Sequence, residues 1–360
     1  MKAALAILLG IHGLIHLLGF LKAFELGQFP LLTGNTSRIQ GLLWLLTAIL
    51  ILVAMGLFLA NKDTWPWIGL AGLILSQFLI VITWADAKHG TWINILLLIF
   101  ILVFIGERNF NIGIQEEVRQ LYSPQRANAD LAYIGNELAT LPVIVQNWIE
   151  NSGISAIGQI GKVHLKQRGR MRTEPGGSWM PFSAEQWFNI QEPGFVWKTK
   201  VEMIGPVFLT GRDKLINGKG NLNISLLSLI PLVSEGNDPK LDQGSRVRYL
   251  AEICWFPSAA MQPYLVWEPL GADRARATFR DQPDVSGIFQ FDGQGRIVSF
   301  EALRYKGSGD GAPKEKWVVR NTSFAEFDQV NVPNRSEVYW ITERGEFHWL
   351  SLEIIGIEYN

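Results

Sequence analysis

The sequence is poor in cysteine and in charge. Its 360 residues include a single cysteine, Cys254, which excludes an internal disulfide framework and a metal site built from several cysteines. Only 18% of the residues are charged and the formal net charge is −1. A general nucleic-acid binder would have a strong basic excess, so we expect no nucleic-acid partner. With 48% apolar residues the chain can bury enough surface to fold, which excludes extensive disorder.

Common catalytic motifs are absent as well. The sequence contains no G-x-S-x-G nucleophile elbow, no G-x-x-x-x-G-K-[ST] phosphate loop, no G-x-G-x-x-G turn and no His-Glu-x-x-His zinc motif. These patterns hold the nucleophiles, phosphates, dinucleotides and metals of large enzyme classes. The sequence therefore predicts no particular reaction, and we expect neither a bound metal nor another cofactor.

The charge is distributed unevenly along the chain. Of the 65 charged side chains, eight lie in residues 1–106. Four uncharged runs, residues 3–21, 41–60, 66–85 and 91–106, would each measure roughly 24–30 Å as helices, close to a hydrocarbon core of about 30 Å. We therefore expect residues 1–106 to form a four-span transmembrane domain, multi-pass in the cell membrane and in contact with the lipid bilayer. Basic residues are balanced between the two sides, so the orientation stays open.

Polar side chains interrupt these apolar runs. His12 and His16 lie four residues apart on the first predicted helix, so both imidazoles project from one face. With residues of the other spans and the third loop they form a predicted intramembrane polar cluster: His12, His16, Gln77, Asp86, His89 and Asn94. Such groups are rare within a bilayer and indicate either interhelical packing or a functional site. The functional alternatives are a metal or haem site on the two histidines, or a lipid-headgroup, quinone or proton site that uses Asp86 and His89.

Residues 107–157 are predicted to form a helical connector between two domains. The composition becomes polar here, and Pro124 predicts the end of a helix that begins near Asn111, because the residue before a proline disfavours helix. Thr140 is a good N-cap for a second helix with Pro142 in its first turn. Apolar residues recur along one face of that second helix, so we expect it to dock against the following domain.

Residues 158–360 show the two-residue period of β-strands and are predicted to be a soluble β domain. In residues 163–172 the alternation puts one basic face on a strand: His164, Lys166, Arg168, Arg170 and Arg172. That face is either ordinary solvated surface or a surface for anionic lipid headgroups. About ten short segments of this kind, separated by turn residues, predict a curved antiparallel sheet. The predicted fold class is α+β, a four-helix transmembrane bundle followed by a mostly antiparallel curved sheet or half-barrel with a helical insertion.

The helical insertion is predicted at residues 242–261. Its aromatic and charged side chains are the candidate ligand-binding residues: Arg248, Tyr249, Glu252, Trp255 and Phe256. Glu252 is either an ordinary ion-paired or surface carboxylate, or a general acid or base if it lies in a cavity with Arg248 and Tyr249. Just before the helix, residues 226–233 are almost entirely apolar, which indicates a buried strand, a lid over a cavity or a loop that touches the bilayer.

Three segments resemble a family of uncharacterised bacterial membrane proteins: HGLIHLLGF at residues 12–20, WADAKHG at 84–90 and RYLAEICWFP at 248–257. That family has four N-terminal spans and a C-terminal soluble domain, so the resemblance implies this architecture and no activity. The segment FAEFDQVNVP at residues 324–333 is similar to the tail of Lol-type lipoprotein carriers. This second similarity implies a curved sheet wrapped around helices, with an apolar cavity for acyl chains.

These features favour a membrane-anchored binding or carrier protein for a lipid or another hydrophobic ligand, such as a molecule with an acyl chain. One alternative is a membrane-associated enzyme that acts on a lipid-like substrate. The other is a non-catalytic assembly or sensing protein. The first predicts a hydrophobic ligand inside the half-barrel, the second a reactive group at the membrane or in the β domain, and the third a surface that binds another protein.

Overall fold

The computed structural model describes residues 2–29, 32, 34–123, 137–158 and 160–360. Contacts between Cα atoms divide the chain into two compact units, Met1–Phe110 and Asn111–Asn360. The described part of the first unit consists of helices and their connecting loops, whereas the second unit is built mainly from β-strands.

The first unit contains the four predicted apolar helices. Its helices are α1 (Lys2–Ala23), α2 (Arg38–Leu59), α3 (Trp65–Ile82), α4 (Trp84–Ala87) and the first part of α5 (Gly90–Tyr122). All except the four-residue α4 are long and apolar enough to cross a membrane. Large apolar side chains such as Ile7, Ile74 and Trp92 are exposed along them, as expected of helices that face lipid. The predicted third run is interrupted at Thr83, where α3 ends and α4 begins.

Helix α5 is longer than the apolar run that predicted it. Its 33 residues extend to Tyr122, so the polar segment after residue 106 continues the same helix and no separate helix begins near Asn111. The Glu, Gln and Arg residues of this segment are good helix formers, which explains the continuation. The helix end predicted at Pro124 lies outside the described residues.

Helix α6 (Val143–Ser152) begins three residues later than predicted. Pro142 is its N-cap, whereas Thr140 closes a short 3₁₀ turn before it. The helix ends at Gly153, which adopts a φ of 77°, a left-handed conformation that favours glycine. Its buried apolar side chains, Val145, Trp148 and Ile149, belong to the core of the second unit.

The second unit is built on one sheet of 13 antiparallel strands. The strands are β1 (Lys162–Met171), β2 (Met180–Asn189), β3 (Gly194–Glu202), β4 (Phe208–Ile216), β5 (Lys219–Leu226), β6 (Ile230–Gly236), β7 (Leu265–Pro269), β8 (Arg274–Phe279), β9 (Gln282–Phe291), β10 (Ile297–Tyr305), β11 (Lys314–Phe327), β12 (Val330–Thr342) and β13 (Gly345–Tyr359). Their order across the sheet is β6-β5-β4-β3-β2-β1-β13-β12-β11-β10-β9-β8-β7. Strands β1 to β6 thus form one meander and β7 to β13 another, and the two join where β1 pairs with β13. The predicted α+β class is confirmed.

The helical insertion lies inside the curve of this sheet. Helix α7 (Pro239–Glu252) follows the edge strand β6 and contacts strands of both meanders, among them β4, β5, β9 and β10. Two short 3₁₀ turns then lead to the other edge strand, β7. The sheet is therefore curved around a central helix, and its inner face is concave.

The concave face and the helical insertion enclose one hydrophobic core. Its largest fully buried side chains are aromatic: Phe188, Phe195, Tyr249, Phe256, Phe279, Phe289 and Phe300. In β1 the predicted alternation is present, because Val163, Leu165 and Gln167 are buried, whereas Lys166 and Arg168 on either side of Gln167 are exposed. In this part of β1 every second side chain therefore faces the interior.

The apolar segment at residues 226–233 is not a buried strand. Leu227 and Ser228, with φ values of 55° and 58°, form the turn between β5 and β6, and β6 is an edge strand that pairs with β5. Three large apolar side chains are exposed there: Leu229, Ile230 and Leu232. Of the three alternatives for this segment, the buried strand is wrong; an apolar run does not show whether a strand has neighbours on both sides.

Candidate functional site

A cavity of about 360 Å³ lies between the concave face of the sheet and α7. Most of its wall is apolar, with contributions from both meanders: Phe182, Trp197, Leu209, Ile224, Val319 and Trp340 are examples. The volume falls within the range of about 300–1,000 Å³ typical of small-molecule pockets. It is also about twice the roughly 150 Å³ that holds a benzene molecule in an apolar protein cavity. The cavity can therefore enclose a hydrocarbon chain.

Three charged side chains in the cavity wall form what we call the Arg248 triad: Asp213, Arg248 and Glu252. Arg248 Nη1 donates to Asp213 Oδ2 at 2.7 Å, and Arg248 Nε donates to Glu252 Oε1 at 2.8 Å. The guanidinium also lies over the rings of Phe195 and Trp197, 4.8 and 4.7 Å from their centroids. The side chains of the triad are at most 14% exposed, so each charge depends on its partners for stabilisation.

A chain of hydrogen bonds continues from the triad across the sheet. Glu252 Oε2 accepts from Gln186 Nε2 at 2.8 Å, and Gln186 Oε1 accepts from Gln167 Nε2 at 3.3 Å. Gln167 Oε1 in turn accepts from Trp197 Nε1 at 2.9 Å. Burial raises the pKa of Glu252, although Arg248 and Gln186 oppose the shift. Because both carboxylate oxygens already have donors, the arrangement favours an ion-paired structural role over that of a general acid or base.

The structure brings together three of the five predicted ligand-binding residues. Arg248, Glu252 and Trp255 line the cavity. Tyr249 is fully buried, and its hydroxyl donates to the backbone carbonyl of the last β2 residue at 3.0 Å. Phe256 is fully buried and packs 4.6 Å from a phenylalanine ring of β2. Tyr249 and Phe256 are thus core side chains, and neither is part of the cavity wall.

The sequence reasoning missed the charged residues that strands contribute to the cavity. Asp213 on β4, Glu235 on β6 and Arg304 on β10 line it. The two-residue alternation of side chains along β10 was the available signal. Phe300 and Ala302 are buried, and Arg304 is the next residue on the same face of the strand. A charge on the buried face of a strand is uncommon and marks a position that needs a partner.

Exposed apolar side chains lie at the end of the sheet where Met171 and Met180 line the cavity. Met171 and Met180, which line the cavity, are the last residue of β1 and the first of β2. The β3–β4 and β5–β6 turns lie at the same end of the sheet and present what we call the apolar rim: Met203, Ile204, Leu229, Ile230 and Leu232. Within the described residues none of 226–233 lines the cavity, which disfavours a lid. Exposed apolar clusters of this kind mark interaction surfaces, and contact with a bilayer fits the exposure.

The basic face of β1 is partly balanced by carboxylates of neighbouring strands. His164 lies 3.3 Å from Glu358 and 3.4 Å from Glu185. Arg168 Nε donates to Glu353 at 2.8 Å. Because these acidic groups offset the positive charge, the arrangement favours ordinary solvated surface over a surface for anionic lipid headgroups.

Four of the six polar residues predicted in the first unit share one hydrogen-bonded network. His12 Nε2 lies 2.7 Å from Asn94 Oδ1, and His16 Nε2 lies 2.8 Å from Ser76 Oγ. Asn94 Nδ2 donates to Ser76 Oγ at 3.0 Å and to Gln77 Oε1 at 3.1 Å. The network joins α1, α3 and α5 and supports the interpretation as interhelical packing.

The other two predicted residues, Asp86 and His89, make different contacts. Asp86 accepts from the backbone N–H of Gly34 at 2.9 Å and lies 3.7 Å from Lys22 Nζ, while His89 is exposed. Both ring nitrogens of His16 have hydrogen-bond partners, at 2.7 and 2.8 Å. In the part of the chain that the structure describes, no group of three His, Cys, Asp or Glu side chains is placed to hold a metal ion.

Comparison with known proteins identifies a family and similar folds. Residues 139–359, more than half of the chain, match a family described as "Family of unknown function (DUF6920)". No curated protein matches the chain. A solved LolA superfamily protein, NE2245 from Nitrosomonas europaea, is 10% identical with a TM-score of 0.34, and the match covers 60% of this chain and 92% of that one. A DUF1329 family protein from Desulfovibrio piger is 5% identical with a TM-score of 0.34, and the match covers 60% and 93% of the two chains. The family match includes residues 248–257, one of the segments that resemble an uncharacterised family.

Proposed function

The chain belongs to the DUF6920 family, and we propose that it is a membrane-anchored protein that binds or carries a lipid or another hydrophobic ligand. The single observation behind this proposal is the cavity of about 360 Å³ with its mainly apolar wall. Protein interiors are close-packed and seldom contain voids larger than a water molecule, so a cavity of this size is typical of a binding site. The four long apolar helices supply the proposed anchor.

The polar side chains of the wall support binding more than catalysis. The Arg248 triad and the glutamine side chains beside it are hydrogen-bonded to one another, with donor–acceptor distances between 2.7 and 3.3 Å, and both oxygens of Glu252 have donors. An enzyme acting on a lipid-like substrate would need Glu252 to exchange one of these partners for the substrate. Replacing Glu252 with glutamine would test that alternative, since it removes a general acid or base but keeps the shape of the side chain.

Lipid retained by the purified protein tests the proposed function. Full-length protein is extracted in a mild non-ionic detergent, retained lipids are identified by mass spectrometry, and binding of a fluorescent fatty acid is titrated. Ile224→Trp and Val319→Trp introduce an indole into the cavity wall from β5 and from β11. Each should weaken fatty-acid binding by about tenfold, equivalent to about 1.4 kcal/mol.

Leu303→Trp is the matched control for these variants. Leu303 lies on β10 and is 58% exposed, so the same indole added there should leave binding unchanged. Wild-type affinity in both cavity variants, or the absence of any bound lipid or fatty acid in the native protein, would contradict the proposal.

The apolar rim supports exchange of the ligand with a membrane. Ile204 is 86% exposed and Leu232 is 55% exposed. Insertion of the apolar rim into a hydrocarbon phase would remove both side chains from water, which is favourable. We expect Ile204→Ser combined with Leu232→Ser to slow transfer of the fluorescent fatty acid from vesicles and to leave its equilibrium affinity unchanged. Equal transfer rates in the variant and the native protein would place the entry route elsewhere.

A further inference from the structure

Arg304 places a positive charge on the concave face of the sheet. It stands on β10 two residues after Ala302 and four after Phe300, both buried, so its side chain projects toward the interior. It lines the cavity, and its guanidinium lies 4.8 Å from the ring centroid of Trp317 and 5.8 Å from that of Trp340. The aromatic rings fix the position of the cation but accept no conventional hydrogen bond from it.

The protein supplies few acceptors for this guanidinium. Arg304 Nε donates to the carbonyl of Gly244 at 2.9 Å. Among the residues that the structure describes, neither terminal amino group of Arg304 has an acceptor, and no carboxylate oxygen lies within 4.0 Å of it. Arg248, by contrast, has two carboxylate partners in the same wall. A guanidinium has five N–H donors, so most of those on Arg304 are available to a ligand.

Arg304 keeps its charge at neutral pH. Burial lowers the pKa of the guanidinium to about 10, and the carboxylates of Asp213 and Glu252 oppose that shift from a greater distance. Within the described residues this charge has one hydrogen bond and no ion pair, although it lines a mainly apolar wall. A charge with so little compensation is costly, and a bound anion would offset that cost.

Charge balance is another possible role of the Arg304 cation. The Arg248 triad contains one positive and two negative side chains, so Arg304 would bring the formal charge of the four groups to zero. Charge balance of this kind requires no hydrogen bond to Arg304. It therefore leaves the free N–H donors of a cavity-lining residue unexplained.

We propose that Arg304 binds the anionic headgroup, a carboxylate or a phosphate, of a ligand whose hydrocarbon chain occupies the cavity. The inference rests on the proposed function and adds to it the charge of the ligand. Guanidinium groups bind both oxyanions through paired N–H donors, and the apolar wall accommodates the chain. The preferred ligand is thus an anionic amphiphile with an acyl or alkyl chain.

Two probes that differ only in charge test this proposal. Full-length protein in dodecyl maltoside is titrated with 11-(dansylamino)undecanoic acid and with its methyl ester, which has the same chain and no charge. Arg304→Gln should weaken binding of the acid by about tenfold or more and of the ester by less than about threefold. Arg304→Lys retains the charge and should give an intermediate acid-to-ester ratio. Arg276→Gln, on an exposed ion pair of β8, is the control and should leave both affinities unchanged.

The outcomes separate this proposal from the proposed function. Equal weakening of acid and ester by Arg304→Gln, or no weakening of either, would assign the cation to charge balance and overturn the headgroup role. If Arg304→Gln does not fold, as judged by its urea unfolding curve, a wild-type acid-to-ester ratio in Arg304→Lys overturns the headgroup role instead. Failure of the native protein to bind either probe overturns the proposed function and this inference with it. Displacement of the bound acid by dodecyl phosphate or by laurate then identifies the preferred oxyanion.

Discussion

Replacing Arg248 with methionine would leave two carboxylates of the cavity wall without their cation. The two ion pairs measure 2.7 Å to Asp213 and 2.8 Å to Glu252, and the side chains involved are at most 14% exposed. Methionine keeps much of the packing against Phe195 and Trp197 and none of the charge. Removing one member of a buried ion pair costs about 3–5 kcal/mol because the remaining charge stays desolvated. We expect a loss of that size in the free energy of unfolding at neutral pH.

Urea unfolding of the full-length protein, followed by tryptophan fluorescence and circular dichroism, measures this loss. Protonation neutralises the orphaned carboxylates, so the deficit of Arg248→Met relative to the native protein should shrink as the pH falls. Adding Asp213→Asn and Glu252→Gln to the variant should recover most of the lost stability, since neutral amides are less costly to bury than carboxylates. A loss below about 1 kcal/mol, which is the size expected of exposed ion pairs, would refute the reasoning.

Three further perturbations have defined outcomes. Burial raises the pKa of the Glu252 carboxyl in the folded state. The contribution of Glu252 to the free energy of unfolding is therefore greatest at acidic pH and falls as the pH rises from about 4 through that raised pKa. Glu252→Gln should flatten this part of the pH–stability curve measured by urea unfolding. A Cβ on Gly287 would clash with Cζ of the buried Phe300, so Gly287→Ala should lower the free energy of unfolding by about 1–3 kcal/mol. A Cβ on Gly293 would meet no atom within 4 Å, so Gly293→Ala is the control and should lower it far less in the same assay. Asn94→Leu removes contacts to three side chains on two other helices and should destabilise the helical unit by about 2 kcal/mol, at roughly 0.6 kcal/mol per contact; an unchanged thermal midpoint in detergent would contradict that role.

The length of the apolar runs and the two-residue alternation of side chains in strands made part of this structure predictable. The four apolar runs gave the long helices because a span is recognised from length and lack of charge alone. Alternation separated the basic face of β1 from its inner face, where Gln167 is buried. The position of Arg248 and Glu252 in the cavity wall also agrees with their placement on one helix, four residues apart.

The composition of the cavity wall depends on which strands pair with each other, and local sequence patterns do not contain that information. Alternation shows that Arg304 points inward, but only the strand order shows that it faces the same cavity as Asp213, which lies on the other meander. Tyr249 and Phe256 were grouped with the ligand-binding residues because aromatic side chains suit both a core and a pocket. The apolar composition of residues 226–233 likewise leaves a buried strand, a lid and a loop at the bilayer open, since composition does not reveal which strand forms the edge.

The junction between the two meanders has a consequence for the order of folding. Arg168 on β1 contacts Glu353 on β13 across 185 positions of the chain, and this seam lies at the middle of the sheet rather than at its edge. During synthesis β1 emerges long before its partner, so the first meander has an unpaired, exposed strand edge until β13 arrives. Long-range pairings of this kind close slowly because their loop entropy must be overcome first. Destabilising changes at the seam should therefore reduce the yield of folded protein through aggregation of the first meander, even where the finished sheet tolerates them.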